Sequence, residues 1–347
     1  MADADNRFLF IGGVGAPKEY GGELSKNKLI ISRLRELGCD VRVVDTYGAR
    51  RRPYRLLSLV PALMADRKAP IIISTSFGNI KVISRWIRRF YPRRRMILWV
   101  IGGSLAEQVE KGEYTTADLA VFDLLIVESR RMLQSLENSG CANVINMPNF
   151  KDLTYSPDCR SKHIGDEDTL RCVFFSRIDT PKGVDIILDA ARRRSLSDNR
   201  VAIDFYGDIN PVIKEQFMAA VDSDPALRYC GKLDFFDPSG LATLSQYHIS
   251  LFPTFWEGEG FPGVIVDSYA ASMPVLASDW RFNREYVGTD SGFICRAQDS
   301  DDFARIFWQL ADNRVTLNNY FGPCRQRADA YDIRCLVTDD FINRFLK

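Results

Sequence analysis

Histidine is nearly absent. The 347-residue chain holds only His163 and His248, which excludes a histidine-rich metal centre. The eight cysteines form no Cys-x-x-Cys pair. Several sit in strand-like apolar surroundings, as Cys172 does beside Val173-Phe174-Phe175, so reduced, buried thiols are predicted rather than disulfides or zinc. Long apolar runs are missing as well. The longest apolar stretch, Leu56 to Ala65, contains Pro61 and is only about half a membrane span. The N-terminus Met1-Ala-Asp-Ala-Asp-Asn6 is acidic and lacks the basic-then-apolar pattern of a signal peptide, so a cytoplasmic chain is expected.

What is present is ordinary for a globular enzyme: 46% apolar and 26% charged residues, too apolar for a disordered chain. The length predicts two domains of about 150–180 residues each. Net charge is +1, but unevenly spread. Residues 1–160 hold 25 Lys and Arg against 17 Asp and Glu, a balance of +8, and residues 161–347 hold 21 against 28, a balance of −7. The first half therefore faces something anionic.

Short Val/Ile/Leu runs alternate with helical patterns along the whole chain. Phe8–Ile11, Val41–Val44, Ile71–Ser74, Met96–Ile101, Leu124–Val127 and Val144–Asn146 read as one strand series. Arg171–Ser176, Val201–Tyr206, Leu227–Cys230, Ile249–Phe252 and Pro274–Ala277 read as a second. Helical spacing runs from about Ser25 to Leu37, from Gly183 to Arg194 and from Phe303 to Leu310. Continuous apolar strands separated by helices predict parallel sheets covered on both faces. Pro148 to Asp168 has no periodicity. The expected division is residues 1–150, a linker at 151–168, and a second domain at 169–331, with ligand binding in the cleft between the domains.

Three segments carry candidate chemistry. Gly12-Gly-Val-Gly15 and Gly21-Gly22 follow the first strand, where glycines let backbone N–H groups approach a phosphate. The dinucleotide fingerprint fails, because Ala16, Pro17 and Lys18 follow Gly15. This loop reads either as a phosphate contact or as a turn without a ligand. Next, Phe174-Phe-Ser-Arg-Ile-Asp-Thr-Pro-Lys-Gly183 ends a strand at Arg177 and opens a helix at Lys182-Gly183. Two cations at a strand end beside a helix N-terminus suit a departing pyrophosphate. Third, the segment from Trp256 to Ser278 carries Glu259 and Asp267, separated by seven residues, among Gly258, Gly260, Pro262 and Gly263. Two carboxylates there can accept hydrogen bonds from sugar and ribose hydroxyls, and a helix from Val264 to Ala271 is expected.

On these residues the chain resembles the retaining glycosyltransferases of the "group 1" family, over nearly everything from Phe8 onward and most strongly in the second half. The resemblance implies an α/β fold of two Rossmann-like domains (GT-B architecture) facing a deep interdomain cleft. It implies that Arg177 and Lys182 contact the nucleotide diphosphate, and that Glu259 contacts the donor sugar. Asp267 falls where the family's second Glu contacts the ribose. Backbone groups of Gly260, Phe261 and Pro262 are implied to line the sugar pocket, Lys232 and Leu233 to hold the base, and Gly21 and Gly22 to close over the phosphates. It also implies a C-terminal helix, 332–347, returning to the first domain.

Two departures stand out: Asp267 is one methylene shorter than Glu, and Gly102-Gly103 stands where many relatives carry a histidine. No Asp-x-Asp sits at a suitable strand end, in keeping with metal-independent chemistry that uses no cofactor beyond the nucleotide-sugar donor. A sugar-nucleotide epimerase of the same fold and a non-catalytic nucleotide-sugar-binding scaffold are the rival readings.

Two basic tracts remain, Arg50-Arg-Arg52 with Arg55, and Arg85 to Arg95, which interleaves arginines with Trp86, Phe90 and Tyr91. They read either as solvated helix faces or as an anionic lipid interface. Nothing resembles a nucleic-acid module. The resemblance favours the lipid, as many relatives glycosylate lipid-linked acceptors at the cytosolic leaflet.

Overall fold

The computed structural model describes residues 6–16, 19, 21–49, 53–75, 80–154, 157, 159, 161–235 and 238–347. The side chains of Pro53 and Arg55 lie outside this description, as do Pro17, Lys18, Arg50, Arg51 and Arg52. The chain divides into two compact units, Met1–Asp152 with Asp332–Lys347, and Leu153–Tyr331.

Unit 1 holds strands β1 (Arg7–Gly12), β2 (Asp40–Asp45), β3 (Ile71–Thr75), β4 (Met96–Val100), β5 (Leu124–Val127) and β6 (Val144–Asn146). They form one parallel sheet in the order β2-β1-β3-β4-β5-β6. Its helices are α1 (Gly22–Glu36), α2 (Leu59–Ala65), α3 (Ile80–Phe90), α4 (Leu105–Glu110), α5 (Thr116–Leu119) and α6 (Arg130–Asn138). The chain steps outward from β1 to β2, then reverses and steps the other way through β3, β4 and β5. Right-handed crossovers therefore put α1 on one face of the sheet and α2 and α3 side by side on the other.

Unit 2 holds β7 (Leu170–Phe175), β8 (Val201–Tyr206), β9 (Leu227–Tyr229), β10 (Ile249–Phe252), β11 (Val275–Ser278) and β12 (Gly292–Cys295), again all parallel, in the order β12-β11-β10-β7-β8-β9. Its helices are α7 (Val184–Arg192), α8 (Lys214–Asp222), α9 (Pro238–Leu244), α10 (Gly263–Ala270), α11 (Asn283–Tyr286), α12 (Ser300–Asp312) and α13 (Asn318–Asp329). Two short helices, α14 (Ile333–Leu336) and α15 (Asp339–Phe341), then complete unit 1. Ile333, Val337, Phe341 and Leu346 join Ile30, Leu34 and Trp99 in one core on the α1 face, and Arg33 Nε donates to the Val337 carbonyl at 3.0 Å.

The apolar runs explain the sheets. β4, β5, β10 and β11 are buried at every residue, as strands covered on both faces must be. All eight thiols are free, five of them buried. No helix among the described residues is long and apolar enough to cross a membrane.

His248 makes unit 2 pH-sensitive. Its Nδ1 accepts the Arg171 backbone N–H at 3.0 Å, so a proton on that nitrogen removes the acceptor. Burial, with Lys162 and Arg171 adding positive charge, pulls its pKa from 6.5 to about 4. Between those values the unfolded chain binds more protons than the folded one. Stability therefore falls as pH drops through this window, by about 2–3 kcal/mol over its full width. Urea titrations at about pH 7 and about pH 5 should show this slope, and His248→Asn, which keeps an acceptor but cannot titrate, should flatten it.

Candidate active site

In a parallel sheet all strands point the same way, so the loops after β7, β8, β9 and β10 emerge at one edge, and β10, β7, β8 and β9 are consecutive neighbours. That topology brings residues about 75 positions apart together. After β7, Asp179 caps a 3₁₀ turn, Thr180–Lys182, that ends at Gly183 in the left-handed conformation, φ +79°. Added to Gly183, a Cβ would lie 2.1 Å from the Pro253 carbonyl oxygen. Only glycine lets the turn close onto the loop after β10. Phe255 N–H donates to the Pro181 carbonyl at 2.8 Å and fixes the two loops together.

At this junction Lys182 Nζ donates to Glu259 Oε2 at 2.6 Å. Their side chains are only 9% and 8% exposed, so each charge relies on the other. Thr254 Oγ1 donates to the same oxygen at 2.9 Å, and among the described residues nothing bonds Oε1. Burial pulls the Lys182 pKa below its usual value, while Glu259 pulls it back. Lys182 Nζ also sits 4.3 Å from the centre of the Trp256 ring, and the Arg177 guanidinium lies 6.0 Å from the same ring. Arg177 is half exposed and pairs with Asp179 Oδ2 at 3.0 Å. Asp179 in turn accepts from Asn210 Nδ2 at 2.8 Å.

The remaining candidates fall around this cluster. Gly260, Phe261 and Pro262 link Glu259 to α10, with Pro262 at its N-cap. The Phe261 ring points into the core and stacks on Tyr286 at 3.5 Å, so only its backbone is available to a ligand. Asp267 is buried within α10. Lys232 follows β9 and forms an exposed ion pair with Asp208 after β8. Leu233, next to it, is half-buried. Gly207 N–H donates to the Gly231 carbonyl at 2.7 Å, joining those two loops. Gly21 and Gly22 belong to unit 1, at the N-terminus of α1.

The first glycine loop has two of its donors engaged. Asp45 Oδ1, at the end of β2, accepts the N–H groups of Val14 at 2.8 Å and Gly15 at 3.3 Å. That favours the turn without a ligand, one of the two readings the sequence allows. At Gly102-Gly103, where the resemblance leads one to expect a histidine, Gly102 N–H donates to Glu128 Oε2 at 3.2 Å.

Trp256, Thr254 and Asp179 have site contacts that sequence reasoning did not assign. Asp179 lies inside the Arg177–Lys182 motif and Trp256 opens the glycine-rich acidic segment, so both were within reach. Thr254 carries no motif; only the β7–β10 pairing reveals it.

Two six-stranded parallel sheets, each flanked by helices, define the GT-B fold. Over this architecture the chain is similar to the Anabaena protein HepE in complex with UDP and glucose, at 16% identity, covering 95% of this chain and 96% of that one, with a TM-score of 0.66. It is also similar to sucrose-phosphate synthase from Thermosynechococcus elongatus, at 15% identity, 95% and 96% coverage and a TM-score of 0.73. A glycosyltransferase from Rickettsia africae matches at 13% identity, 95% coverage of each chain and a TM-score of 0.71. Residues 169–313 match the family model "Glycosyl transferases group 1", so unit 2 carries a group 1 glycosyltransferase domain. No curated protein sequence matches the chain.

Proposed function

We propose that the chain is a retaining glycosyltransferase that moves a sugar from a nucleoside-diphosphate donor, held by unit 2, to a glycan or lipid-linked acceptor in surface polysaccharide or glycolipid assembly. The observation that carries this reading is the buried Lys182–Glu259 pair with Arg177 beside it at the edge of a parallel sheet. Lys182 has three N–H donors and gives one to Glu259, so others remain for a diphosphate oxygen. Arg177 supplies a second, forked cation. As the bond between sugar and phosphate breaks, negative charge grows on the leaving diphosphate, and both cations are already in place to stabilise it. Glu259 Oε1 is left to accept from a sugar hydroxyl. The N–H groups of Gly263 and Val264, which open α10 ahead of the bond from Ile265 N–H to the Pro262 carbonyl, add positive potential.

The similarity to HepE, whose structure holds UDP and glucose, makes uridine donors the first to try. Nucleotide-sugars are screened for thermal stabilisation, then incubated with glycan and polyprenyl-phosphate acceptors. Release of nucleoside diphosphate with a new glycoside of unchanged anomeric configuration, read by proton NMR, supports the proposal. An isomerised nucleotide-sugar means an epimerase instead, and tight donor binding without turnover means a scaffold.

A further inference from the structure

Of the six arginines in the basic tract that sequence reading offered as a lipid contact, four are engaged within the fold. Arg85 and Arg88 pair with Asp118 and Asp123. Arg94 is buried and donates to the carbonyls of Ala69 at 2.6 Å and Leu63 at 3.2 Å. Arg95 donates to the Phe345 carbonyl at 3.0 Å. Beside the exposed cations, apolar side chains also face outward. Along α3, Ile80, Ser84 and Ile87 are buried, while Val82, Trp86 and Phe90 are exposed, Val82 by 72% and Phe90 by 62%. Spaced four apart, these three form one stripe down the outer side of the helix, and the Trp86 and Phe90 rings lie 5.0 Å apart along it. Leu57, Val60 and Met64 repeat the pattern on the turn into α2 and on α2 itself, with Leu57 73% exposed. Both helices lie on the same face of the unit 1 sheet, and Arg94 ties Leu63 of α2 to the turn after α3.

Two exposed apolar stripes side by side are unusual for a surface bathed only in water. Their surroundings identify the partner. Residues 56–106 hold nine Lys and Arg against one acidic residue, Asp66, a balance of +8, and Asp118 and Asp123 from outside that stretch answer only Lys81, Arg85 and Arg88. Asp66 itself is paired with Arg7 at 2.8 Å. Arg67, Lys68, Arg89 and Arg93 are exposed, and Arg89 and Arg93 make no ion pair with any described residue. A second copy of this chain would bring two such positive faces together, and a neutral partner would leave the charge uncompensated.

We propose that the outer face of α2 and α3 docks on an anionic lipid bilayer, with Val82, Trp86, Phe90, Leu57, Val60 and Met64 entering the headgroup–acyl boundary and the flanking cations meeting lipid phosphates. Both helices are far too short to cross the bilayer, so they lie in its plane. Docking is separate from the chemistry of unit 2 and is read without donor or acceptor, so it stands or fails on its own.

The test mixes the full chain with vesicles of phosphatidylcholine alone or with added phosphatidylglycerol, followed by sedimentation. The protein should pellet with the anionic vesicles only. Its tryptophan emission should shift to the blue and be quenched by brominated acyl chains, an effect that Trp86→Phe removes. Val82→Ser/Trp86→Ser/Phe90→Ser should weaken binding at least about tenfold, and Arg89→Ser/Arg93→Ser should weaken it about tenfold or more. All five side chains are exposed, so the unfolding midpoint should not move. No pelleting with either vesicle overturns the proposal. So does binding that the triple substitution leaves intact, which would mean attraction to any polyanion, such as an acidic protein. Self-association in solution that the triple substitution abolishes overturns it in favour of a second copy.

Discussion

Lys182→Met is expected to lower kcat for sugar transfer by about 10²–10³-fold, the scale seen when one pre-placed stabiliser of transition-state charge is removed. Because Lys182 and Glu259 are buried against each other, the substitution also strands a carboxylate, at a cost of about 3–5 kcal/mol in stability. Lost activity alone could therefore reflect a weakened fold. Adding Glu259→Gln separates the two effects: the neutral amide keeps a donor and an acceptor for Thr254 and removes the stranded charge. The double variant should regain most of the lost stability, yet its turnover should stay at or below the level of Lys182→Met. Urea titration and initial-rate kinetics on all four proteins complete the cycle. If turnover returns with stability, Lys182 is a structural residue and the diphosphate role assigned to it is wrong.

Gly183→Ala should be nearly as damaging, for a backbone reason. The residue sits at φ +79°, and its new Cβ would overlap the Pro253 carbonyl, both backbone parts that cannot swing aside. Relief requires the turn after β7 to part from the loop after β10, which separates Lys182 from Glu259. A stability loss of about 3 kcal/mol or more is expected, together with loss of transfer. Gly38→Ala is the control. Gly38 has a similar φ of +75° but open space around it, so it should cost only about 1 kcal/mol and spare activity. Equal effects at the two positions would mean that the left-handed conformation alone matters and that the close approach does not.

Much of this was legible in the sequence because buried parallel strands must be continuously apolar. Eleven of the twelve strands were marked by such runs. β12, Gly292–Cys295, escaped because its apolar run is only Phe293-Ile294-Cys295 and follows Ser291-Gly292, small residues that read as a turn. Glu259 stood out by its glycine-rich surroundings, and Lys182 by standing with Arg177 between a strand end and a helix start. Thr254 did not, since its role exists only once β10 lies beside β7. The arginine tract shows a limit of another kind. Composition reveals that Arg85 to Arg95 is basic and aromatic, but the direction of each side chain depends on partners such as Asp118 and the Phe345 carbonyl, which are remote in the chain. The glycine loop after β1 carries the same lesson: its free N–H groups were a fair inference until Asp45 was found to occupy two of them.

In the proposed reaction Arg177 and Lys182 together bind a diphosphate. Calorimetric titration of uridine diphosphate and uridine monophosphate into the wild type, Arg177→Ala and Lys182→Met/Glu259→Gln tests it most directly. The wild type should prefer the diphosphate, and each variant should lose at least about tenfold in diphosphate affinity while its weaker monophosphate binding changes little. Equal diphosphate affinity in all three proteins would contradict it.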